Sequence, residues 1–183
     1  MKVLGISGSL RRDSYNSLLL ENARELLPAG VELELYDGLK DVPPFDEDDE
    51  ADPAPAVERL RDAVAGADAV LFATPEYNSS IPGQLKNAVD WASRPIATAA
   101  LRNKPVAVVG ASTGMFGAVW AQAELRKVLA RTGARVLEGE LPVPLAGSQF
   151  DDEGRLADEE LRARLAEVAE RLAAETAALS VAA

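Results

Sequence analysis

Short apolar runs alternate with amphipathic stretches along this chain, the pattern of strands and helices taken in turn. The apolar runs predict strands at Lys2–Ser7, Val31–Tyr36, Ala69–Thr74 and Pro105–Ala111, with a short one at Arg135–Leu137. Between them, helices are expected near Ser14–Leu27, Pro53–Gly66, Pro82–Trp91 and Gly117–Thr132, and a last one from Asp158 to Leu179. In that last helix Leu161, Leu165, Val168, Leu172 and Leu179 follow the spacing of one face. Gly30, Gly66 and Gly133 stand where helices should stop.

The strands differ from one another in a way that orders them. Val-Leu-Gly-Ile, Ala-Val-Leu-Phe-Ala and Val-Ala-Val-Val-Gly-Ala are continuous apolar runs, as expected of parallel strands covered on both faces. Val31-Glu32-Leu33-Glu34-Leu35 alternates, so one of its faces is wet and it belongs at an edge. Strands one, three and four are then central. The expected fold is a flavodoxin-like α/β three-layer sandwich, a five-stranded parallel sheet of order 2-1-3-4-5 with helices on both faces. The order 3-2-1-4-5 buries strand two and fits less well. At 183 residues, positions 1–183 are expected to form one domain.

Composition narrows the chemistry. The chain has neither cysteine nor histidine. That removes thiolate nucleophiles, Cys/His zinc sites and every imidazole triad; oxygen-ligand sites for Mg²⁺ or Ca²⁺ stay open to this composition, but no metal site is assigned. Such an enzyme works with carboxylates, hydroxyls, Lys or Arg, or with a borrowed cofactor. The net charge of −11 argues against nucleic-acid or anionic-membrane partners, which need basic patches. No window is apolar enough to span a bilayer and the start carries no secretory pattern, so a soluble cytoplasmic protein is expected. The acidic, proline-containing segment 41–55 reads as a solvated loop rather than a substrate cover.

In an open α/β sheet ligands bind beyond the carboxyl ends of the strands, where the winding reverses. For this order the point lies between strands one and three, which singles out three loops. Gly8–Asn16 leaves a central strand and enters a helix, so main-chain N–H groups and the helix dipole converge on an anion. Ser9, Ser14 and Asn16 add neutral donors, and Arg11 and Arg12 add positive charge. This suits a terminal phosphate, although Asp13 or Ser14 also suits an N-cap. The loop fits neither G-x-x-x-x-G-K-[ST] nor G-x-G-x-x-G. In Thr74–Gly83, prolines at both ends make a rigid ledge for the edge of a planar heterocycle, with Tyr77 as an apolar flank; an ordinary βα turn explains it equally well. In Ala111–Gly117, glycines permit close approach and Ser112 or Thr113 can bond a ligand. Met115 and Phe116 suit packing on a ring or on a neighbouring subunit. Trp91 and Trp120 are contact candidates, though core packing is the commoner fate of such side chains.

The strings GSLRRDSYN, PEYNSSIPGQLKNAVDW and GASTGMFGA together resemble the NADPH-dependent FMN reductase family, which includes quinone, azo-dye and chromate reductases. The resemblance runs from Lys2 to about Leu145. It implies bound FMN, NADPH or NADH as co-substrate, and a small-molecule electron acceptor such as a quinone, azo compound or metal oxyanion. It also implies a homodimer or homotetramer with the flavin near the subunit interface. Carried over, the first motif grips the FMN phosphate through Ser9, Arg11, Ser14 and Asn16. The second lines the ring with Pro75, Glu76, Tyr77 and Asn78, and Ser112, Thr113 and Gly114 border it. No side chain is expected to act in catalysis, because the flavin carries the hydride.

Two other readings remain. One is a flavodoxin-like electron carrier without NAD(P)H turnover of its own, which strong acidity suits but which lacks the expected Thr-rich phosphate loop. The other is a nucleotide-processing enzyme on the same fold, with Glu76 as nucleophile or base.

Overall fold

In the computed structural model, which describes residues 1–182, the continuous apolar runs lie at the centre of a parallel sheet. β1 (Lys2–Ser7) pairs with β3 (Ala69–Ala73), and β3 with β4 (Pro105–Ala111). The register sets Val3 beside Ala69 and Val70 beside Val106. β2 (Glu32–Leu35) lies outside β1 and β5 (Arg135–Val136) outside β4, giving the order β2-β1-β3-β4-β5. The alternation of β2 has the expected consequence: Leu33 is buried while Glu32 and Glu34 are exposed at the rim.

A sixth strand extends the expected five. β6 (Pro142–Val143) pairs in parallel with the far end of β4, setting Gly110 beside Pro142 and Ala111 beside Val143. β5 and β6 thus lie one after the other along the same edge of β4. Two residues set among prolines carry no periodicity, so sequence spacing does not reveal this strand.

Side chains of successive strand residues enter opposite cores. Leu4, Ile6, Val70, Phe72, Val106 and Val108 meet α2 (Pro55–Ala65), α3 (Gly83–Ala92) and α4 (Val119–Arg131). Val3, Leu71, Ala107 and Val109 meet α1 (Tyr15–Leu26) and α5 (Glu159–Ala182). Every residue of β3 and β4 is buried. Each such Leu, Val or Phe contributes roughly 1.5–3 kcal/mol relative to an exposed one. On α5 the stripe of Leu161, Leu165 and Leu172 is completed by Ala169 and Thr176. The main-chain N–H groups of Glu160 and Leu161 donate to Asp158 Oδ1, which caps this helix.

The helix ends differ from expectation by one to three residues, α2 starting at Pro55 and α5 running on to Ala182, and two of the shifts have a clear local cause. α1 stops at Leu26, because Leu27 precedes Pro28 and turns extended; Gly30 (φ 83°) belongs to the following turn. α4 begins at Val119 rather than Gly117, because Gly117 (φ 58°) and Ala118 (φ 61°) both adopt the left-handed region. The acidic loop is strapped along α3. Gln84 Nε2 donates to the carbonyls of Leu39 and Val42, and Asn87 Nδ2 and Trp91 Nε1 donate to that of Pro43. Trp91 is therefore a core residue and lies outside the loop cluster.

Candidate functional site

The carboxyl ends of β1, β3 and β4 are adjacent, and the three loops they launch are stitched to one another. Gly8 N donates to Ala73 O at 2.8 Å and Thr74 N to Val109 O at 3.0 Å. A Cβ on Gly8 would stand 2.7 Å from Leu85 Cδ2 of α3 and 3.4 Å from Pro75 Cδ, so a larger residue here would press on the buried Leu85 side chain.

In the first loop the structure separates the expected donors into two groups. Ser14 Oγ accepts from the N–H groups of Asn16 and Ser17 and caps α1. Asn16 is buried and brackets the end of β4: its Nδ2 donates to Ala111 O, and its Oδ1 accepts from Ala111 N, both at 2.9 Å. These two side chains build the loop rather than project from it. Ser9 is half-buried, its Oγ receiving Arg11 N at 3.4 Å, while Arg11 and Arg12 are exposed. Among the described residues, no protein acceptor meets the main-chain N–H groups of Leu10, Arg12, Asp13 or Tyr15. Those donors stand at the amino end of a helix beside two guanidinium groups. A dianionic phosphoryl group fits that combination.

Two neighbours of this loop are not evident in the sequence. Ser17 Oγ donates to Ser7 Oγ at 3.2 Å, tying the first turn of α1 to β1; its place three residues after the cap is the available signal. Phe150 stacks on Tyr15 with ring centroids 5.7 Å apart, and the Arg11 guanidinium lies over the Tyr15 ring, 5.2 Å from its centroid. Nothing in local spacing links Phe150 to residue 15.

The second loop is a tight hairpin turn. Tyr77 and Ser80 exchange main-chain hydrogen bonds of 3.0 and 3.1 Å around Asn78 (φ 54°) and Ser79 (φ 59°), the conformation of a type I′ turn. Pro75 is buried, and Tyr77 and Asn78 stand exposed at the tip. The Glu76 carboxylate is already engaged, since its Oε2 accepts from Trp120 N at 3.0 Å and Ala121 N at 3.1 Å. Ala118, which opens α4, offers no capping side chain, so Glu76 caps the helix from 44 residues away. That use counts against a nucleophilic or basic Glu76. Glu76→Ala is expected to lower stability by about 1 kcal/mol and Glu76→Gln by less. Urea unfolding and faster amide exchange at Trp120 and Ala121 check this.

In the third loop Ser112 Oγ accepts from Gly114 N at 3.0 Å, and Gly114 O accepts from Leu145 N at 3.0 Å. Thr113 is exposed, and among the described residues its hydroxyl bonds no protein group. Gly117 crosses over β6: a Cβ there would lie 2.7 Å from Val143 N and 2.8 Å from Pro142 C. Gln122, fully buried, donates to Gly117 O at 3.0 Å and accepts from Leu141 N at 3.1 Å. Around the three loops large apolar side chains stay exposed, with Tyr77 at 55%, Met115 at 74% and Phe116 at 59%.

A family model described as NADPH-dependent FMN reductase matches residues 1–147. The chain is 48% identical over 164 residues to an NAD(P)H-dependent FMN reductase of Pseudomonas aeruginosa, covering 88% of each protein. It is 40% identical over 155 residues to a quinone reductase of Pseudomonas putida, covering 84% of this chain and 83% of that one. Among solved structures, the flavoenzyme NAD(P)H:(acceptor) oxidoreductase FerB of Paracoccus denitrificans superposes with a TM-score of 0.82 at 35% identity. That match covers 93% of this chain and 94% of the other.

Proposed function

Because the chain belongs to the NADPH-dependent FMN reductase family, and so is a flavin oxidoreductase driven by NAD(P)H, we propose that loop 8–16 holds the FMN phosphate and that the electrons pass to a quinone, azo compound, metal oxyanion or similar small acceptor. When bound, FMN supplies the hydride chemistry. This chain then needs no general acid or base of its own, in keeping with an inventory that lacks His and Cys. Membership among reductases sets the electron-carrier alternative aside.

The observation that carries the assignment is the set of uncommitted N–H groups at Leu10, Arg12, Asp13 and Tyr15. In this reading those groups, with Ser9 and Arg11, bind the phosphate. Ser14 and Asn16 act indirectly by holding the helix start and the end of β4. Pro75, Tyr77 and Asn78 flank the ring on one side, and Ser112, Thr113 and Gly114 border it on the other, while Glu76 fixes the spacing between them. The exposed rim of Leu10, Tyr77, Met115 and Phe116 gives a flat aromatic acceptor apolar surface to lie against. Residues 1–183 act as one domain, and the working molecule is a homodimer or homotetramer. No helix among the described residues is long and apolar enough to cross a membrane, and the cytoplasm is the proposed location.

Calorimetry with FMN and with riboflavin tests the cradle. FMN is expected to bind at least about 100-fold more tightly, because riboflavin lacks the group that the charge-assisted hydrogen bonds recognise. Arg11→Ala should weaken FMN roughly tenfold and leave riboflavin unchanged. Equal affinities for the two flavins sink the assignment. Bleaching of the bound flavin by anaerobic NADPH, and its return on adding a quinone, tests the acceptor class.

A further inference from the structure

Past β6 the chain folds into a short hairpin, residues 149–157, which lies beyond the stretch 1–147 matched by the family model. Phe150 and Leu156 pair antiparallel across it, and Ala157 N donates to Gln149 O at 2.9 Å. Asp151 ties the tip. Its Oδ1 accepts from the main-chain N–H groups of Glu153 and Arg155, and its Oδ2 from Arg155 Nε at 2.9 Å.

This hairpin is fastened along one flank of α1. Asn22 Nδ2 donates to Gly154 O at 2.8 Å, and Asn22 Oδ1 accepts from Leu156 N at 2.9 Å. A Cβ on Gly154 would lie 3.0 Å from Leu18 Cδ2, so the backbone of the tip rests close on the helix. Tyr15, Leu18 and Asn22 stand at i, i+3 and i+7, which places them on one face. At the amino end of that face Phe150 stacks on Tyr15, with ring centroids 5.7 Å apart and planes 14° from parallel. The Arg11 guanidinium lies over the same Tyr15 ring, 5.2 Å from its centroid.

The position of Arg11 needs a cause. Among the described residues no carboxylate pairs with it, although the chain carries 30 acidic residues. An exposed arginine without such a partner samples many rotamers, and an anion that fixes it loses affinity to that ordering. A π face beneath the guanidinium limits those rotamers while leaving its N–H groups and its charge open to an anion. The Tyr15 ring supplies that face, and Phe150 holds the ring.

We propose that Phe150 is a positioning residue for the flavin phosphate: stacked on Tyr15, it fixes the ring that seats Arg11 beside loop 8–16, so the cation is in place before the phosphate arrives. The inference rests on the reading of this loop as a phosphate cradle. It adds that a hairpin outside the loop sets how sharply the cradle distinguishes phosphorylated from unphosphorylated flavin.

Calorimetry on the full-length chain, with FMN and with riboflavin, tests it. Phe150→Ala is expected to weaken FMN about three- to fivefold and to leave riboflavin unchanged. Phe150→Tyr keeps the stack and should bind FMN as the wild type does. In an Arg11→Ala background Phe150→Ala should cause no further loss, because its effect passes through Arg11. Tyr15→Leu keeps an apolar contact for Phe150 but removes the π face, and it should reproduce the FMN loss. Losses that multiply in the double variant overturn the proposal. So does an equal weakening of FMN and riboflavin by Phe150→Ala, which marks general loosening of the fold, and so does wild-type FMN affinity in Tyr15→Leu. A wild type that prefers FMN, with Phe150→Ala preferring it just as strongly, overturns the role of the hairpin and spares the cradle. Equal affinities for the two flavins in the wild type overturn both.

Discussion

Gly117→Ala is expected to destabilise the protein by on the order of 3–5 kcal/mol and to strip it of flavin. Two costs add at this position. The residue holds φ at 58°, where a side chain is strained. Its new Cβ would also lie 2.7–2.8 Å from main-chain atoms of Pro142, Val143 and Pro144, which cannot swing away as a side-chain tip does. Relief requires β6 to leave β4 or the third loop to lift, and either change moves Thr113 and Gly114. Against a typical stability of roughly 5–15 kcal/mol, that is a large fraction. Gly83→Ala is the control: nothing lies within 4 Å of its Cβ position, at the first residue of α3. It should be neutral or stabilise by about 0.5–1 kcal/mol. Urea midpoints, and flavin retained through gel filtration, read both variants. Unfolding of Gly117→Ala at the wild-type midpoint would contradict the argument.

The second large effect belongs to Asn16. Leucine at this site removes the Asn16 amide that meets both the N–H and the C=O of Ala111, and leaves these buried groups without a partner among the described residues. At roughly 1–3 kcal/mol for each orphaned group, the expected loss is about 2–6 kcal/mol. Asn16→Asp separates scaffold from cradle. It keeps the acceptor for Ala111 N but opposes a carbonyl with a carboxylate and sets a negative charge near the proposed phosphate seat. Its FMN affinity should fall by about tenfold or more beyond that of Asn16→Leu. Equal affinities in the two variants would show that the loop does not sense charge from this position.

The contrast between scaffold and cradle also shows what was legible in the residues alone. The three unbroken apolar runs and the alternating Val31–Leu35 gave away the sheet order, because burial on two faces or one is written into the period of each strand. The sheet order then located the loops. What escaped was which groups in those loops were already engaged. Ser14 and Asn16 look like ligand donors in the string GSLRRDSYN, yet one caps α1 and the other holds a strand end 95 positions away. Glu76 looks like part of a ring-lining turn, yet its carboxylate is taken by α4. The partners of Asn16 and Glu76 are distant in sequence and no local spacing encodes them, whereas the Ser14 cap is local and suits the N-cap position that the sequence offers. The type I′ turn at Asn78-Ser79 is equally hidden, because serine in a left-handed position gives no glycine to mark it.

The outer border of β2 carries a consequence for the crowded life of a protein in solution. An unpaired strand edge invites any extended peptide to add on and seed fibrous growth, and here Arg24 Nε already covers part of it by donating to Leu33 O at 3.1 Å. Glu32 and Glu34 stand along that border, and Lys2 is occupied with Glu34 at 2.6 Å. A strand arriving from another molecule of this acidic chain meets carboxylates before it finds peptide partners, and the sheet stays finite.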